Sequence, residues 1–213
     1  MKNIGIAFIA LLAGMASCAA RPIPGVGKVI SENRTVADFS ALEASGGFDI
    51  QWTSAPSSLS ITTDQDLLPH IQTVVAEGTL RISADQAIAP TKGVKIVLSS
   101  GSLKEVDLRG AVHFTAKQVS GEKLRISSAG AVSAEVAGEV GELTAKLTGA
   151  SNLKALSLKA KAATVSLTGA SNGDVCVSEH LRASIVGAGS ISYTGDPRVE
   201  QSVLGVGKVW QRK

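Results

Sequence analysis

The side chains able to do chemistry are few and scattered. Asp64 and Asp66 come nearest to a general acid–base pair, because residues i and i+2 of a strand project to the same side. Leu67-Leu68-Pro69 follows at once and signals a turn, so a solvated loop is the expected setting. His70, His113 and His180 have no metal-ligand spacing among them and read as solvated or half-buried surface residues. Gly25-Val26-Gly27-Lys28 is a fragment of a phosphate loop at best, since Val29 stands where Ser or Thr would hold magnesium. No catalytic, metal or cofactor-binding residues are assigned on this basis. No cofactor is expected, and the chain is read as a non-enzyme.

The two cysteines differ in kind. Cys18 ends a segment with Lys2 as its positive start, an almost wholly apolar run from Ile4 to Met15, and small residues Ala16 and Ser17. A membrane span needs about 20 apolar residues, and this run is shorter. Met15-Ala16-Ser17-Cys18 resembles the lipobox of bacterial lipoproteins. The resemblance implies a signal peptide over 1–17, acylation of Cys18 as the lipid attachment site, and a lipidated tether over 18–24. Several acyl chains anchor firmly where one binds marginally. The alternative is an ordinary secretory signal cut after Ala20, and either way the chain is exported. Ala19, rather than Asp, follows the cysteine and resembles an outer-membrane address, facing periplasm or cell surface. Cys176 is then left without a partner in the chain. In the run Val175-Cys176-Val177 the inward parity is ambiguous, and a small buried hydrophobe is the expected reading.

The elements that must position these residues announce themselves as a repeat. Leu108-Arg109-Gly110-Ala111, Ser128-Ala129-Gly130-Ala131, Leu147-Thr148-Gly149-Ala150, Leu167-Thr168-Gly169-Ala170, Ile185-Val186-Gly187-Ala188 and Val203-Leu204-Gly205-Val206 share one phrase. Their glycines stand 20, 19, 20, 18 and 18 residues apart. Helical repeats need more than about 30 residues, so a period near 19 fits one coil of a β-solenoid. Apolar residues two apart before each glycine, such as Val165 and Leu167, place one face of a strand inward. The glycine is expected at a corner where coils approach closely, with the following alanine fitted inside the bend. Ser151 with Ser171, and Asn152 with Asn172, are expected to align into polar ladders that stabilise rather than bind.

From Phe39 to Ser99 the texture is strand-like but less regular, suggesting the first coils. A helical turn or loop is expected at Asp66–His70, where Pro69 interrupts longer structure. Gly-Val-Gly-Lys-Val occurs at Gly25–Val29 and again at Gly205–Val209, hinting at related strands at both ends. Of 213 residues, 44% are hydrophobic and only 3% aromatic, which suits a narrow interior of small and β-branched side chains. Lys and Arg are dispersed. Losing Lys2 leaves 20 basic against 18 acidic residues, a net charge of +2, so the footprint of nucleic-acid binding is missing.

Gly25-Val26-Gly27-Lys28-Val29, Arg34 with Phe39 and Leu42, Gly46-Gly47-Phe48-Asp49-Ile50, the Gly-Ala series and Tyr193-Thr194-Gly195-Asp196-Pro197 occur in an order similar to the putative auto-transporter adhesin, head GIN domain family of bacterial envelope proteins. The resemblance spans essentially all of residues 25–213. It implies an all-β fold, a single-stranded, right-handed parallel β-helix, and it brings no catalytic or binding residues. Ser128 departs from it, standing where an aliphatic residue is usual. The expected function is a non-enzymatic, lipid-anchored envelope module whose flat Ser/Thr/Asn-rich faces contact a polysaccharide or a surface protein. The alternatives are a periplasmic structural or assembly lipoprotein and, third, a carbohydrate-active β-helix enzyme using Asp64 and Asp66. The expected state is a monomer, with Gln211-Arg212-Lys213 blunting the last strand edge.

Overall fold

The computed structural model describes residues 21–212. Cys18, the signal segment 1–17 and the start of the tether lie outside the described residues. The strands follow as β1 (Ile23–Pro24), β2 (Val29–Arg34), β3 (Ala41–Gly46), β4 (Asp49–Ser54), β5 (Ser58–Asp64), β6 (Ile71–Ala76), β7 (Thr79–Ala84), β8 (Ile88–Ala89) and β9 (Lys95–Ser100). They continue as β10 (Glu105–Gly110), β11 (His113–Gly130), β12 (Ser133–Gly149), β13 (Asn152–Gly169), β14 (Asn172–Gly187), β15 (Ser190–Thr194), β16 (Arg198–Gly205) and β17 (Lys208–Gln211).

The fold is a single-stranded β-helix of about five coils of about 20 residues. β11 to β14 each supply one coil and pair in parallel with the next. Each long strand contributes to two sheets. Its first part continues a sheet begun by β9 and β4 and finished by β15 and β17. Its last part continues a second sheet begun by β7, β3 and β10 and finished by β16. A short third run joins them, Val119–Gly121 lying over Gly138–Val140.

Register is set by what must be buried, because a slip of one residue would turn every inward side chain outward. Val106, Ile126, Ala145, Val165 and Ala183 stack over one another, all nearly inaccessible. The neighbouring column is Leu108, Ser128, Leu147, Leu167 and Ile185. Ser128 is the odd member: its Oγ is buried and, among the described residues, has no hydrogen-bond partner. A buried hydroxyl without a partner costs about 1 kcal/mol or more. Ser128→Ala is therefore expected to raise the midpoint of thermal unfolding by about 2–4 °C, measurable by calorimetry.

The residues that fill the interior change along the stack. Phe39, Phe48, Trp52 and Phe114 fill the amino-terminal coils, whereas Ala, Val and Leu fill the later ones. This distribution explains how a chain with so few rings closes a core.

The corners hold the glycines in one column. Gly46, Gly110, Gly130, Gly149, Gly169, Gly187 and Gly205 pair in sequence along the stack. Their close approach is direct: a Cβ on Gly149 would lie 2.6 Å from the Gly130 carbonyl oxygen. The alanines that follow do not fit inside the bend. Ala111, Ala131, Ala150, Ala170 and Ala188 are exposed, and the next residue turns inward instead, as Val112, Val132, Ser151 and Ser171 show. The corner chain crosses from one sheet to the other, so parity is reset there and the alanine points outward.

The amino-terminal part differs from simple coils. β2 runs antiparallel to β5, β5 to β9, and β6 to β7, so antiparallel strands, among them the β6–β7 hairpin, are inserted between the coil strands β4 and β10. A single 3-10 turn at Leu68–His70 links β5 to β6. Arg34 closes this end: its guanidinium donates to the carbonyls of Ile71 and Leu68 and to Thr73 Oγ1, and pairs with Glu32 at 2.6 Å. The two Gly-Val-Gly-Lys-Val phrases do not lead into related strands. The first enters antiparallel β2, the second enters β17, which stacks in parallel on β15.

Candidate ligand-binding face

Asp64 and Asp66 do not lie together in a solvated loop. Asp64, the last residue of β5, is fully buried, and Asp66 is half-buried. The Asp64 carboxylate accepts from the Thr91 backbone N–H at 2.7 Å, the Thr91 hydroxyl at 2.7 Å and the Gly27 N–H at 2.8 Å. Asp66 Oδ1 accepts from the Val26 N–H at 3.2 Å. A Cβ on Gly25 would collide with the Asp64 carboxylate, which is why that position is glycine. Together with the pairing of Ile23–Pro24, the end of the segment read as tether, to Ile88–Ala89, these bonds clamp residues 23–27 onto the rest of the domain.

The Thr91 N–H holds the Asp64 carboxyl below its usual range, aided by the Thr91 hydroxyl and the Gly27 N–H, with burial opposing them. A carboxylate with a depressed folded pKa stabilises above its unfolded pKa, and that contribution is lost as pH falls through the folded value. Hydrogen exchange at the Gly27 and Thr91 amides is thus expected to accelerate selectively in acid below the ordinary carboxylate range. Asp64→Asn should make exchange at these amides fast at neutral pH and remove most of that acid dependence.

The histidines are dispersed. His70 is half-buried with Nδ1 3.1 Å from Asp85, while His113 and His180 are exposed on separate coils. Among the described residues no group of three His, Cys, Asp or Glu is placed to hold a metal ion. Cys176 is half-exposed rather than buried, because Val175 and Val177 take the inward positions.

What the coils build instead is two flat outward faces with different chemistry. On the first sheet the expected ladder is present: Asn172 Nδ2 donates to Asn152 Oδ1 at 3.0 Å, and Ser190 Oγ donates to Asn172 Oδ1 at 2.6 Å. Ser192 donates to Asp174 beside it. Ser151 and Ser171 are not part of this outer ladder but turn inward, donating to the Gly130 and Gly149 carbonyls at 3.3 and 3.2 Å. On the later coils of this face Asn152, Asn172, Ser190 and Ser192 spend their side-chain hydrogen bonds within the molecule, whereas on the earlier coils Thr115 and Ser133 have no such partner among the described residues.

The second sheet carries outward rows at positions five, three and one before each corner glycine. Register stacks Arg125, Thr144, Thr164 and Arg182 in one row, Ser127, Lys146, Ser166 and Ser184 in the next, and Ala129, Thr148, Thr168 and Val186 in the third. Parallel strands about 4.8 Å apart space these rows evenly into a grid, and hydroxyls stand at seven of the twelve positions, concentrated on the two middle coils. Among the described residues none of these Thr and Ser side chains has a side-chain hydrogen-bond partner, so the grid is open to an external one. Ion pairs frame it, Arg125 with Glu105 at 3.9 Å and Arg182 with Glu200 at 2.9 Å. Sequence reading placed Ser, Thr and Asn on flat faces without separating the two; the signal was the threonine at both −5 and −1 before Gly149 and Gly169.

The same architecture occurs in solved structures. A "putative adhesin" of Bacteroides fragilis NCTC 9343 is 24% identical with a TM-score of 0.72, the match covering 89% of this chain and 100% of that one. A "putative adhesin" of Parabacteroides merdae ATCC 43184 is 22% identical with a TM-score of 0.57, covering 91% and 100%. A "putative lipid binding protein" of Parabacteroides distasonis ATCC 8503 is 23% identical with a TM-score of 0.57, again covering 91% and 100%. No protein with a curated description matches the chain. The family model described as "Putative auto-transporter adhesin, head GIN domain" matches residues 38–197, from the residue before the first core phenylalanine to the one before β16, and the chain belongs to that family.

Proposed function

We propose that this chain is an exported envelope module, anchored through lipidated Cys18, that binds a polysaccharide or protein surface through the hydroxyl grid of its second sheet and catalyses no reaction. The observation that carries the reading is the contrast between faces. On its later coils one spends Asn152, Asn172, Ser190 and Ser192 on its own ladder, while the other presents unspent Thr and Ser rows between two ion pairs. A rigid, flat, polar array suits repeated hydrogen bonding to an extended partner, where many weak contacts add. Membership of an adhesin-type family agrees with it. The enzyme reading fits less well, since Asp64 is buried and engaged by three donors that hold the amino-terminal segment.

The test has two arms. Metabolic labelling with a radioactive fatty acid is expected to mark the unaltered chain and not Cys18→Ala; labelling of both would remove the anchor. Protease treatment of intact cells is expected to cut or release an outward-facing domain. Full protection would favour the alternative, a periplasmic structural or assembly lipoprotein.

A further inference from the structure

The two ends of the stack are finished differently. At the amino-terminal end β2 and β6 are edge strands as well, pairing only with β5 and β7, but Arg34 of β2 bonds to Ile71 and Thr73 of β6 and the 3-10 turn joins β5 to β6, so the two edges are tied to each other. At the other end, among the described residues, β16 pairs only with β14 and β17 only with β15, so each leaves one backbone edge open. The inward column that is buried throughout ends at Val203, which is 41% exposed although Ile185 beneath it is 1% exposed. Leu204, Val206 and Trp210 are 70, 87 and 44% exposed. Open edges and apolar ends of this kind template further strand pairing unless blocked.

The sequence of this terminal coil is partly self-matching about Val206. Counting outward in both directions, Gly205 faces Gly207, Val203 faces Val209, Gln201 faces Gln211 and Glu200 faces Arg212, while the outward residues Leu204 and Ser202 face Lys208 and Trp210. Inward parity also matches, since Val203 stacks on Ile185 and Val209 on Ile191, both core positions. A twofold axis through Val206 that bisects the corner would lay β16 of one copy antiparallel to β17 of the other. Closed twofold contacts require this kind of self-matching patch. Glu200 already holds Arg182 at 2.9 Å and Arg212 lies 3.7 Å from Asp174, yet the Glu200 and Arg212 side chains are 56% and 48% exposed and each can engage a second partner.

We propose that this end is an interface for a second copy of the chain: the open coil caps itself by twofold strand addition, with β16 pairing with β17 of the partner subunit, Val203 covering the partner's Val209, and Glu200 facing the partner's Arg212. This sets aside the expectation of a monomer, because Gln211 and Arg212 fasten the strand end to Gly195 and Tyr193 without covering the edge. The dimer joins two solenoids end to end and leaves the hydroxyl grids free on both.

Sedimentation velocity on the purified full chain tests it. Two short strand pairs make a small interface, so association with a dissociation constant of about 10 µM is expected. Val206→Glu, at a site exposed enough to leave thermal stability unchanged, places two like charges on the axis and should weaken association at least about tenfold. Ala188→Glu, one corner earlier, should leave it unchanged. Glu200→Arg and Arg212→Glu should each weaken the dimer, and the double exchange should restore it to within about threefold. A monomer up to about 500 µM, insensitivity to Val206→Glu, equal loss with Ala188→Glu, or failure of the double exchange to restore association overturns the proposal.

Discussion

A Gly149→Ala chain is expected to unfold at least about 3 kcal/mol more easily, lowering the thermal midpoint by about 6–12 °C. Two effects add. Gly149 has φ +100°, a region that costs an L-residue about 1–3 kcal/mol. The new Cβ would also lie 2.6 Å from the Gly130 oxygen and 3.2 Å from its nitrogen, both backbone atoms that cannot rotate away. Relieving that contact means separating two coils where Ala150 N–H donates to the same oxygen at 2.9 Å. Gly121→Ala separates the causes: φ is +150° but nothing lies within 4 Å of a Cβ there, so only the torsional part should appear. Equal losses in calorimetry would show that coil contact contributes nothing at the corner.

Trp52→Ala is expected to cost about 3–5 kcal/mol, the range for deleting a buried large ring. Trp52 is 1% exposed, stacks in register on Leu98 and Ala116, and donates from Nε1 to Ser100 Oγ at 3.0 Å. The later coils cannot collapse to fill the void, because their spacing is fixed by the backbone ladder. Trp52→Phe keeps most of the ring and should lose about 1 kcal/mol, the worth of the hydrogen bond. The readout is convenient, since the chain has two tryptophans and Trp210 is 44% exposed. Removing Trp52 should leave only the red-shifted emission of a solvated indole.

The repeat was legible because each coil must place the same few residues over the same positions, which leaves a period in the sequence. The glycine column was legible from Gly110 onward for that reason. Gly46, its first member, was not, because the antiparallel strands inserted between β4 and β10 hide the period. Parity was harder to read. Val175-Cys176-Val177 is apolar throughout, and only pairing with Ala155 and the neighbouring coil decides that the valines point inward. The small alanine after each glycine suits either side of a corner, and the reset of parity there is a tertiary effect. Asp64 looked like half of an acid pair because its donors are remote in sequence: Gly27 lies 37 residues before it and Thr91 27 after. The Asn152–Asn172 ladder followed from repeat position alone. The open grid on the second sheet did not, since it depends on which hydroxyls lack a partner.

Binding to isolated envelope glycans and to intact cells, measured with the purified domain and two surface variants, bears most directly on the functional reading. Thr164→Glu/Thr168→Glu alters the grid at outward positions, and Lys154→Glu alters the first sheet. Retention of the unaltered protein and of Lys154→Glu, with at least about tenfold weaker retention of the double variant, is the expected result. No retention of the unaltered protein, or equal retention of both variants, would contradict a surface-binding role for the second sheet.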